Sequence, residues 1–472
     1  MVEIQSNSLL IELRRDGGAA LHRQIEAAIR DAVRAGRLRI GTALPPTRTL
    51  AGDLGVSRGV VVEAYQQLVA EGYLTSRPGG YTEVAIGQEP AAPAVPSEPA
   101  PPPMIDFAYG RSDVSHFPRA VWMRSIRRVL ADAPNERFLY LSGRGMPELR
   151  EALAGYLNRV RGASVDPDNM VIVNGYAQGI ALTIAVLAQS GARRLAVEDP
   201  SADDDARLVA AAAGIEVVGV PVDRDGIRVD LLERTDADAV VLTPSHQWPT
   251  GGVLSAESRA AVLRWAARRG ALIVEDDYDA EYRYDRAPIG AIQGLAPDSV
   301  VYAGSASKTL APGLRLGWLV VPRRLADAVA TAKVVADRGS PALDQLVFAD
   351  FLTRGEFDRH LRRMRPVYRR RRDALLAALR EKAPMLEPVG IAAGLHLVTW
   401  LPPEVDEAAV VSAAAARGVA VNGVTPYRLT STGPGGLIFG YSSLSERAIV
   451  DGVTVIGEIL SRGGVGSGRA RS

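Results

Sequence analysis

The stretch VVYAGSASKTLAPGLRLGWLVVP, residues 300–322, decides how most of this chain is read. Val300–Ala303 is an apolar run with the length of a buried strand. It ends in small residues, then Lys308, and a second strand, Leu316–Val320, follows Arg315. Small residues let a ligand approach the backbone closely. An amine that condenses with a carbonyl needs a nearby cation or a dry pocket to lose its proton. A phosphate needs hydroxyls, backbone donors and an arginine. Ser305, Ser307, Lys308 and Arg315 supply both sets. The chain has two other lysines, Lys333 and Lys382, in charge-rich helical stretches, where solvation is expected.

The preceding strand carries the complementary charge. In ALIVEDDYDAEYRY, residues 271–284, an apolar strand delivers Asp276, Asp277 and Tyr278 at its carboxyl end. Ligands of open α/β sheets sit at such ends. A carboxylate there can keep the pyridine nitrogen of pyridoxal 5′-phosphate (PLP) protonated, and a tyrosine can donate to the ring oxygen. A solvated acidic loop is the plainer alternative. A Mg²⁺ site is disfavoured because no nucleotide phosphate loop accompanies it.

Outward from this pair the pattern repeats. Strands are expected at Met170–Val173, Arg194–Val197, Glu216–Val220, Ala239–Leu242 and Ala271–Glu275. Between them lie amphipathic helices at Ala177–Ala188, Asp205–Ala213 and Ala256–Arg268. Apolar strands alternating with helices predict a mostly parallel sheet covered on both faces. A helical region spans 324–383, and from 391 the pattern suggests a smaller terminal subdomain. The unit runs over 104–460. Residues 461–472 are rich in Gly, Arg and Ser and read as a disordered tail.

Upstream, GQEPAAPAVPSEPAPPP, residues 87–103, is a Pro/Ala-rich tether. It separates off an N-terminal unit, 6–86. Leu21–Ala35 places Leu21, Ile25, Ala28, Ile29 and Ala32 on one helical face. Thr47–Leu54 and Ser57–Glu71 read as two helices joined by Gly55-Val56, with Ser57 as N-cap and Val60, Val61, Ala64, Leu68 and Val69 as a buried stripe. Tyr73–Thr75 and Tyr81–Val84 read as strands of a wing. A helix-turn-helix lays its second helix in the major groove. Ser57, Arg58 and Gly59 start that helix, Arg48 starts the one before it, and Arg77 with Gly79 sits on the wing.

Composition narrows the classes. The net charge of +1 means that any nucleic-acid contact depends on local arginine placement. With no cysteine, disulfides and thiolate chemistry are excluded. The N-terminus lacks a signal-peptide pattern and no run is long enough to span a bilayer, so a cytoplasmic protein with no membrane partner is expected.

The segment LPPTRTLAGDLGVSRGVVVEAYQQLVAEGYL, from Leu44 to Leu74, resembles the winged helix-turn-helix of the GntR family. SASKTLAPGLRLGW, EDDYDAEYRY, TPSHQWPTGGVLS and LYLSGRGMPELREAL resemble fold-type I aminotransferases. Together they are similar to the MocR/GabR group, a GntR-type reader fused to an aminotransferase-like body. That resemblance implies a multidomain protein, a winged helix-turn-helix plus an α/β PLP-binding body with a small C-terminal subdomain. It implies a homodimer on operator double-stranded DNA, with Arg48, Arg58 and Arg77 as DNA contacts. It implies Lys308 as Schiff-base lysine, Asp276 at the pyridine nitrogen, Tyr278 at the ring oxygen, and Ser305 and Arg315 at the phosphate. Gly175, Tyr176 and Ala177 would form the phosphate-cradling turn. Tyr140 would reach the neighbouring subunit's phosphate, and His246, Gln247 and Trp248 would line the pocket edge.

Two departures from the aminotransferase pattern shift the expected function. Ile438 stands where the arginine that holds a substrate carboxylate is expected, with Arg428 as a possible substitute. Ala202 and Asp204 stand where an aromatic that stacks on the cofactor and an effector-binding arginine are expected. An acidic loop, Asp203–Asp205, disfavours γ-aminobutyrate. The leading expectation is a transcription regulator of the PLP-responsive kind that senses PLP and controls vitamin B6 metabolism. Alternatives are the same architecture sensing an amino compound through an external aldimine, a working aminotransferase with a DNA-binding appendage, and a body retained only for dimerisation.

Overall fold

The computed structural model describes residues 11–15, 19–76, 81–86, 104–110, 112–202, 205–284 and 289–463. The expected tether 87–103, the wing residues Arg77 and Gly79, the loop residues Asp203 and Asp204, and the tail from 464 lie outside the described residues. The chain forms two compact units, Met1–Pro101 and Pro102–Ser472.

In the first unit, α1 (Leu21–Arg34) buries Ile25, Ile29, Ala32 and Val33. α2 (Thr47–Leu54) ends at Gly55, whose φ of 61° is left-handed, a conformation that glycine adopts without steric cost. Arg15 donates to the carbonyl of Gly55 at 2.9 Å and so ties down this turn. α3 (Arg58–Ala70) buries Val61, Ala64, Tyr65 and Leu68. Val69 is 38% exposed and is not part of the stripe. Tyr65 takes its place at helical spacing, and its hydroxyl donates to the carbonyl of Pro45 at 2.9 Å. Ser57 is the N-cap residue, but its side chain makes no capping bond. β1 (Leu74–Ser76) and β2 (Thr82–Val84) pair antiparallel. Arg30 clasps Glu71 across α1 and α3 at 2.7 Å.

The second unit begins with β3 (Ile105–Asp106), α4 (Arg119–Asp132) and α5 (Pro147–Arg161). The alternating part follows: β4 (Met170–Val173), α6 (Tyr176–Gln189), β5 (Arg194–Asp199), α7 (Asp205–Ala212), β6 (Glu216–Asp223), β7 (Gly226–Ile227), α8 (Val229–Leu232), β8 (Ala239–Leu242), α9 (Ala256–Arg269), β9 (Leu272–Asp276), β10 (Val300–Ser305) and β11 (Gly317–Val320). Then come α10 (Ala326–Asp337), α11 (Ala342–Thr353) and α12 (Glu356–Lys382). The chain closes with β12 (Glu387–Val389), β13 (His396–Trp400), α13 (Glu407–Ala416), β14 (Val419–Ala420), β15 (Asn422–Gly423), β16 (Gly436–Gly440) and α14 (Glu446–Gly463).

The large sheet has the order β4-β11-β10-β9-β8-β5-β6-β7. The run β10-β9-β8-β5-β6 is parallel, while β11 is antiparallel to both neighbours and β7 to β6. Both faces are covered. In β9, Leu272 and Val274 pack into a core with α6 and α10, whereas Ile273 packs oppositely with Trp265 of α9. This is the period-2 alternation of a strand buried on both sides. A four-stranded sheet, β12-β13-β16-β15, forms the smaller terminal layer. No helix among the described residues is long and apolar enough to cross a membrane.

Candidate functional site

The carboxyl ends of the parallel strands open into a cavity of about 470 Å³. Lys308, Ser305, Ser307, Arg315, Asp276, Tyr278, Tyr176 and Ala177 all line it. Residues from 176 to 315 thus converge because β5, β8, β9 and β10 end on the same side.

Lys308 follows β10 and its Nζ donates to the carbonyl of Gly110 at 3.0 Å. It also lies 4.8 Å from the centre of the Tyr109 ring, a cation–π distance. Ser112 donates to the carbonyl of Ser307 at 2.6 Å, pinning the lysine loop to the same segment.

Arg315 has a left-handed φ of 52° and donates to the carbonyl of Asn174 at 2.7 Å. Gly175, with φ 82°, caps α6. A Cβ there would sit 2.8 Å from Arg315 Nη2, so any side chain would displace the guanidinium. Behind this turn, Lys333 is completely buried, not solvated as expected. Its Nζ donates to Asp337 and to Gln178, each at 2.6 Å. Asp337 also accepts from Asn174 and Gln178, at 2.9 and 2.7 Å. Burial pulls the Lys333 pKa down, against the pull of Asp337. The expectation failed because Asp337, four residues along α10, offsets the cost of burying an ammonium.

Adjacent carboxylates at the end of β9 face opposite ways. Asp276 lines the cavity. Asp277 is buried against Arg161 at 2.7 Å, and accepts from Tyr302 at 2.6 Å. Burial opposes the charge of Arg161, yet Asp277 and Tyr302 outweigh it and raise its pKa.

Tyr278 donates to the carbonyl of His246 at 2.8 Å, and burial pushes its phenol pKa up. His246 is not at the cavity edge. It is buried behind Tyr278, with Nδ1 3.0 Å from Asp279. Its placement follows from the Ser245–Thr250 turn, which closes under the smaller sheet: His396 of β13 lies against it, ring centres 4.9 Å apart, and meets the carbonyl of Pro249 at 2.9 Å. Burial, then His246, lowers the pKa of His396 well below the ordinary imidazole range. Tyr140 is 93% exposed on this chain and does not line its cavity.

Several cavity residues escaped the sequence reading. β5 runs two residues beyond its expected end, and this brings Glu198 to the cavity. Glu198 accepts from the Thr243 amide at 3.0 Å and hydroxyl at 2.5 Å, and burial pushes its pKa up to about 7. The next residue, Asp199, accepts backbone N–H bonds from Leu429, Thr430 and Ser431 at 2.7–2.9 Å. That clasp holds the segment carrying Tyr427 over the cavity, where Tyr427 meets Trp248 at 4.5 Å between ring centres. Tyr109 completes this wall, 5.4 Å from Trp248. Ala202 and Asp205, both singled out in the sequence, line the cavity as well.

Neither Ile438, which stands where a carboxylate-binding arginine is expected, nor Arg428, the suggested substitute, lines this space. Ile438 is fully buried, packed with Trp248, Val398 and Val424. Arg428 donates to Ser431 and to the carbonyl of Pro434 within its own loop. Among the described lining residues, Arg315 is the only arginine.

In the first unit, Arg48, Ser57, Arg58 and Gly59 are exposed together around the α2–α3 turn. Arg58 Nε is 3.4 Å from the hydroxyl of Thr47. A Cβ at Gly59 would meet nothing nearer than 3.9 Å, so packing does not demand glycine there.

The cavity residues suit PLP. A lysine amine, a carboxylate at a strand end, a tyrosine hydroxyl, and a phosphate cradle of Ser305, Ser307, Arg315 and the α6 N-terminus form a complementary donor set. The absence of a Cβ at Gly175 keeps that cradle open.

Comparison with known proteins agrees. Residues 102–437 match the family described as aminotransferase class I and II, and residues 21–84 match the bacterial regulatory proteins of the gntR family. The chain is 34% identical to the "probable rhizopine catabolism regulatory protein MocR" of Rhizobium meliloti, covering 94% of each chain. It is 31% identical to the "HTH-type pyridoxine biosynthesis transcriptional regulator PdxR" of Corynebacterium glutamicum, covering 93% of this chain and 96% of that one. The α-aminoadipate aminotransferase of Thermus thermophilus, solved with N-(5′-phosphopyridoxyl)-L-leucine, superposes with a TM-score of 0.68 at 26% identity, over 76% of this chain and 92% of that one. The aminotransferase fold and these neighbours imply PLP binding. The chain belongs to the MocR-type regulators of the GntR family, transcription regulators that join a DNA-binding helix-turn-helix to an aminotransferase class I and II body.

Proposed function

We propose that this regulator holds PLP in the 470 Å³ cavity and that the state of the cavity sets its affinity for operator DNA. The observation that carries this reading is the convergence of Lys308, Asp276, Tyr278, Arg315 and the start of α6 on one cavity, in a chain that also has a DNA reader. When bound, PLP supplies an aldehyde reactive toward amines and an electron-withdrawing ring. Lys308 offers the amine that retains it. Asp276 would keep a proton on the ring nitrogen, and the Tyr278 hydroxyl would turn its one proton from the His246 carbonyl to the ring oxygen. Ser305, Ser307, Arg315 and the N–H groups at Tyr176 and Ala177 receive the phosphate. The contacting rings of Tyr109, Trp248 and Tyr427 limit water on their side of the cavity. The exposed Tyr140 suits a contact with a second copy, so the working form is a homodimer.

PLP itself is the first signal we assign, with control of vitamin B6 metabolism as its purpose. The pyridoxine-biosynthesis regulator among the relatives supports that assignment. Turnover as an aminotransferase is disfavoured because no arginine other than Arg315 lines the described cavity wall. On the DNA, Arg58, Ser57 and Gly59 meet the major groove, Arg48 meets a phosphate, and Arg77 and Gly79 are assigned as further contacts. Signalling requires that the ligand bind the two arrangements of the protein unequally.

The test is an absorbance spectrum of the purified protein with and without PLP, followed by operator titration in both states. A cofactor band and an operator affinity that shifts at least tenfold on PLP addition are expected. Identical operator affinity in both states overturns PLP as the signal.

A further inference from the structure

The groups assigned to PLP leave part of the cavity wall unused. Its cations, Lys308 and Arg315, belong to the amine and phosphate ends of the cofactor. The rest of the lining includes the carboxylate of Glu198 and the rings of Tyr109, Trp248 and Tyr427. Asp205, at the start of α7, adds a second carboxylate. No described residue there offers a fork for a ligand carboxylate, since Arg428 is spent within its own loop and Ile438 is apolar.

Glu198 is held one-sidedly. The Thr243 amide, the Thr243 hydroxyl and Gln247 Nε2 all donate to Oε2, at 3.0, 2.5 and 3.5 Å. Oε1 accepts from no described protein donor, although a carboxylate has acceptor capacity on both oxygens. Glu198 is 3% exposed, and no cation among the described residues pairs with it. A buried carboxylate with one oxygen unbonded and no countercharge is costly, and a cationic ligand offsets that cost. Aromatic faces beside a carboxylate are the chemistry that selects ammonium groups.

We propose that this wall is an ammonium-binding subsite, and that the small-molecule effector is an amine with a second cationic nitrogen and no carboxylate, a diamine or polyamine. One amine faces the cofactor end near Lys308. The distal ammonium lies between Glu198 Oε1 and the rings of Tyr109, Trp248 and Tyr427. Ala202 leaves room for it where a bulkier aromatic would narrow the cavity. This inference rests on the cofactor reading above.

Calorimetric titration of the PLP-loaded full-length protein with 1,5-diaminopentane, pentylamine and 5-aminopentanoate tests it. The diamine is expected to bind at least tenfold more tightly than pentylamine, and 5-aminopentanoate more weakly than either. Glu198→Gln is expected to erase the advantage of the diamine over pentylamine. Trp248→Leu is a second variant should the first fail to fold, and it is expected to reduce the same ratio severalfold. Equal binding of diamine and pentylamine, or tighter binding of 5-aminopentanoate, overturns the subsite. If wild-type protein shows no cofactor band, the cofactor reading fails instead. The three ligands are then ranked on the cofactor-free protein, where the same order sustains the subsite and any other order overturns it.

Discussion

The DNA reader and the cavity of the body hold their functional groups in opposite ways. In the reader, Arg48, Ser57, Arg58 and Gly59 stand on the outside of a small core whose packing they do not enter. In the body, Asp276, Tyr278 and Glu198 sit where a sheet ends, and each is adjacent to a buried polar group that fixes the scaffold. Asp276 neighbours Asp277 with its Arg161 pair, and Tyr278 leans on His246. Glu198 neighbours Asp199, which clasps the Tyr427 segment. Function and folding are therefore separable in the reader and entangled in the body.

Substitutions can break or sharpen that contrast. The largest effect is expected from Lys308→Ala, which removes the amine and should abolish the lysine-dependent cofactor band. A retained band would remove Lys308 from the site. Arg161→Met comes next. It leaves Asp277 buried and unpaired, which costs about 3–5 kcal/mol, to be read from urea denaturation. A smaller loss would mean that the strand end tolerates rearrangement.

Glu198→Gln separates charge from shape. Burial raises the Glu198 pKa from its ordinary 4.5 to about 7. Between those values the folded state binds more protons than the unfolded chain, so stability falls as pH rises through that window. The glutamine variant has no such proton, so it should lose less stability than wild type across the window, by a few kcal/mol at most. Parallel stability–pH curves for the two proteins would show that Glu198 does not titrate there. The smallest effect is Arg58→Ala. It should weaken operator binding by about 1–3 kcal/mol and leave the denaturation midpoint of the protein unchanged, since the side chain is exposed. Lost stability in that variant would erase the contrast between the two regions.

The two regions also differed in how far they were legible. Every strand expected between Met170 and Val320 is present, because runs such as MVIV and AVVL are buried on both faces and have no other stable placement. The α2 limits, Thr47–Leu54, match because Gly55 ends the helix by its own conformational freedom. The Val69 error was one of register on the helix surface, settled by Tyr65 and its bond to Pro45. Lys333 was misread because its partners, Gln178 and Asp337, come from two helices. His246 was misplaced because β13, far along the chain, supplies the His396 that packs against it.

Sequence alone determined what local chemistry can specify: the αβ alternation, the helix-turn-helix, the lysine loop and the strand-end carboxylates. Periodicity, glycine and side-chain type act over a few residues, so they can be read in order. The tertiary structure decided which of two adjacent carboxylates faces the cavity, which lysine is buried, and that Glu198, Tyr109, Trp248 and Tyr427 share one wall. Those outcomes depend on contacts between residues on different elements, such as Arg161 with Asp277 and Gln178 with Lys333, where the cost of burying charge is offset only by a partner that folding brings into place.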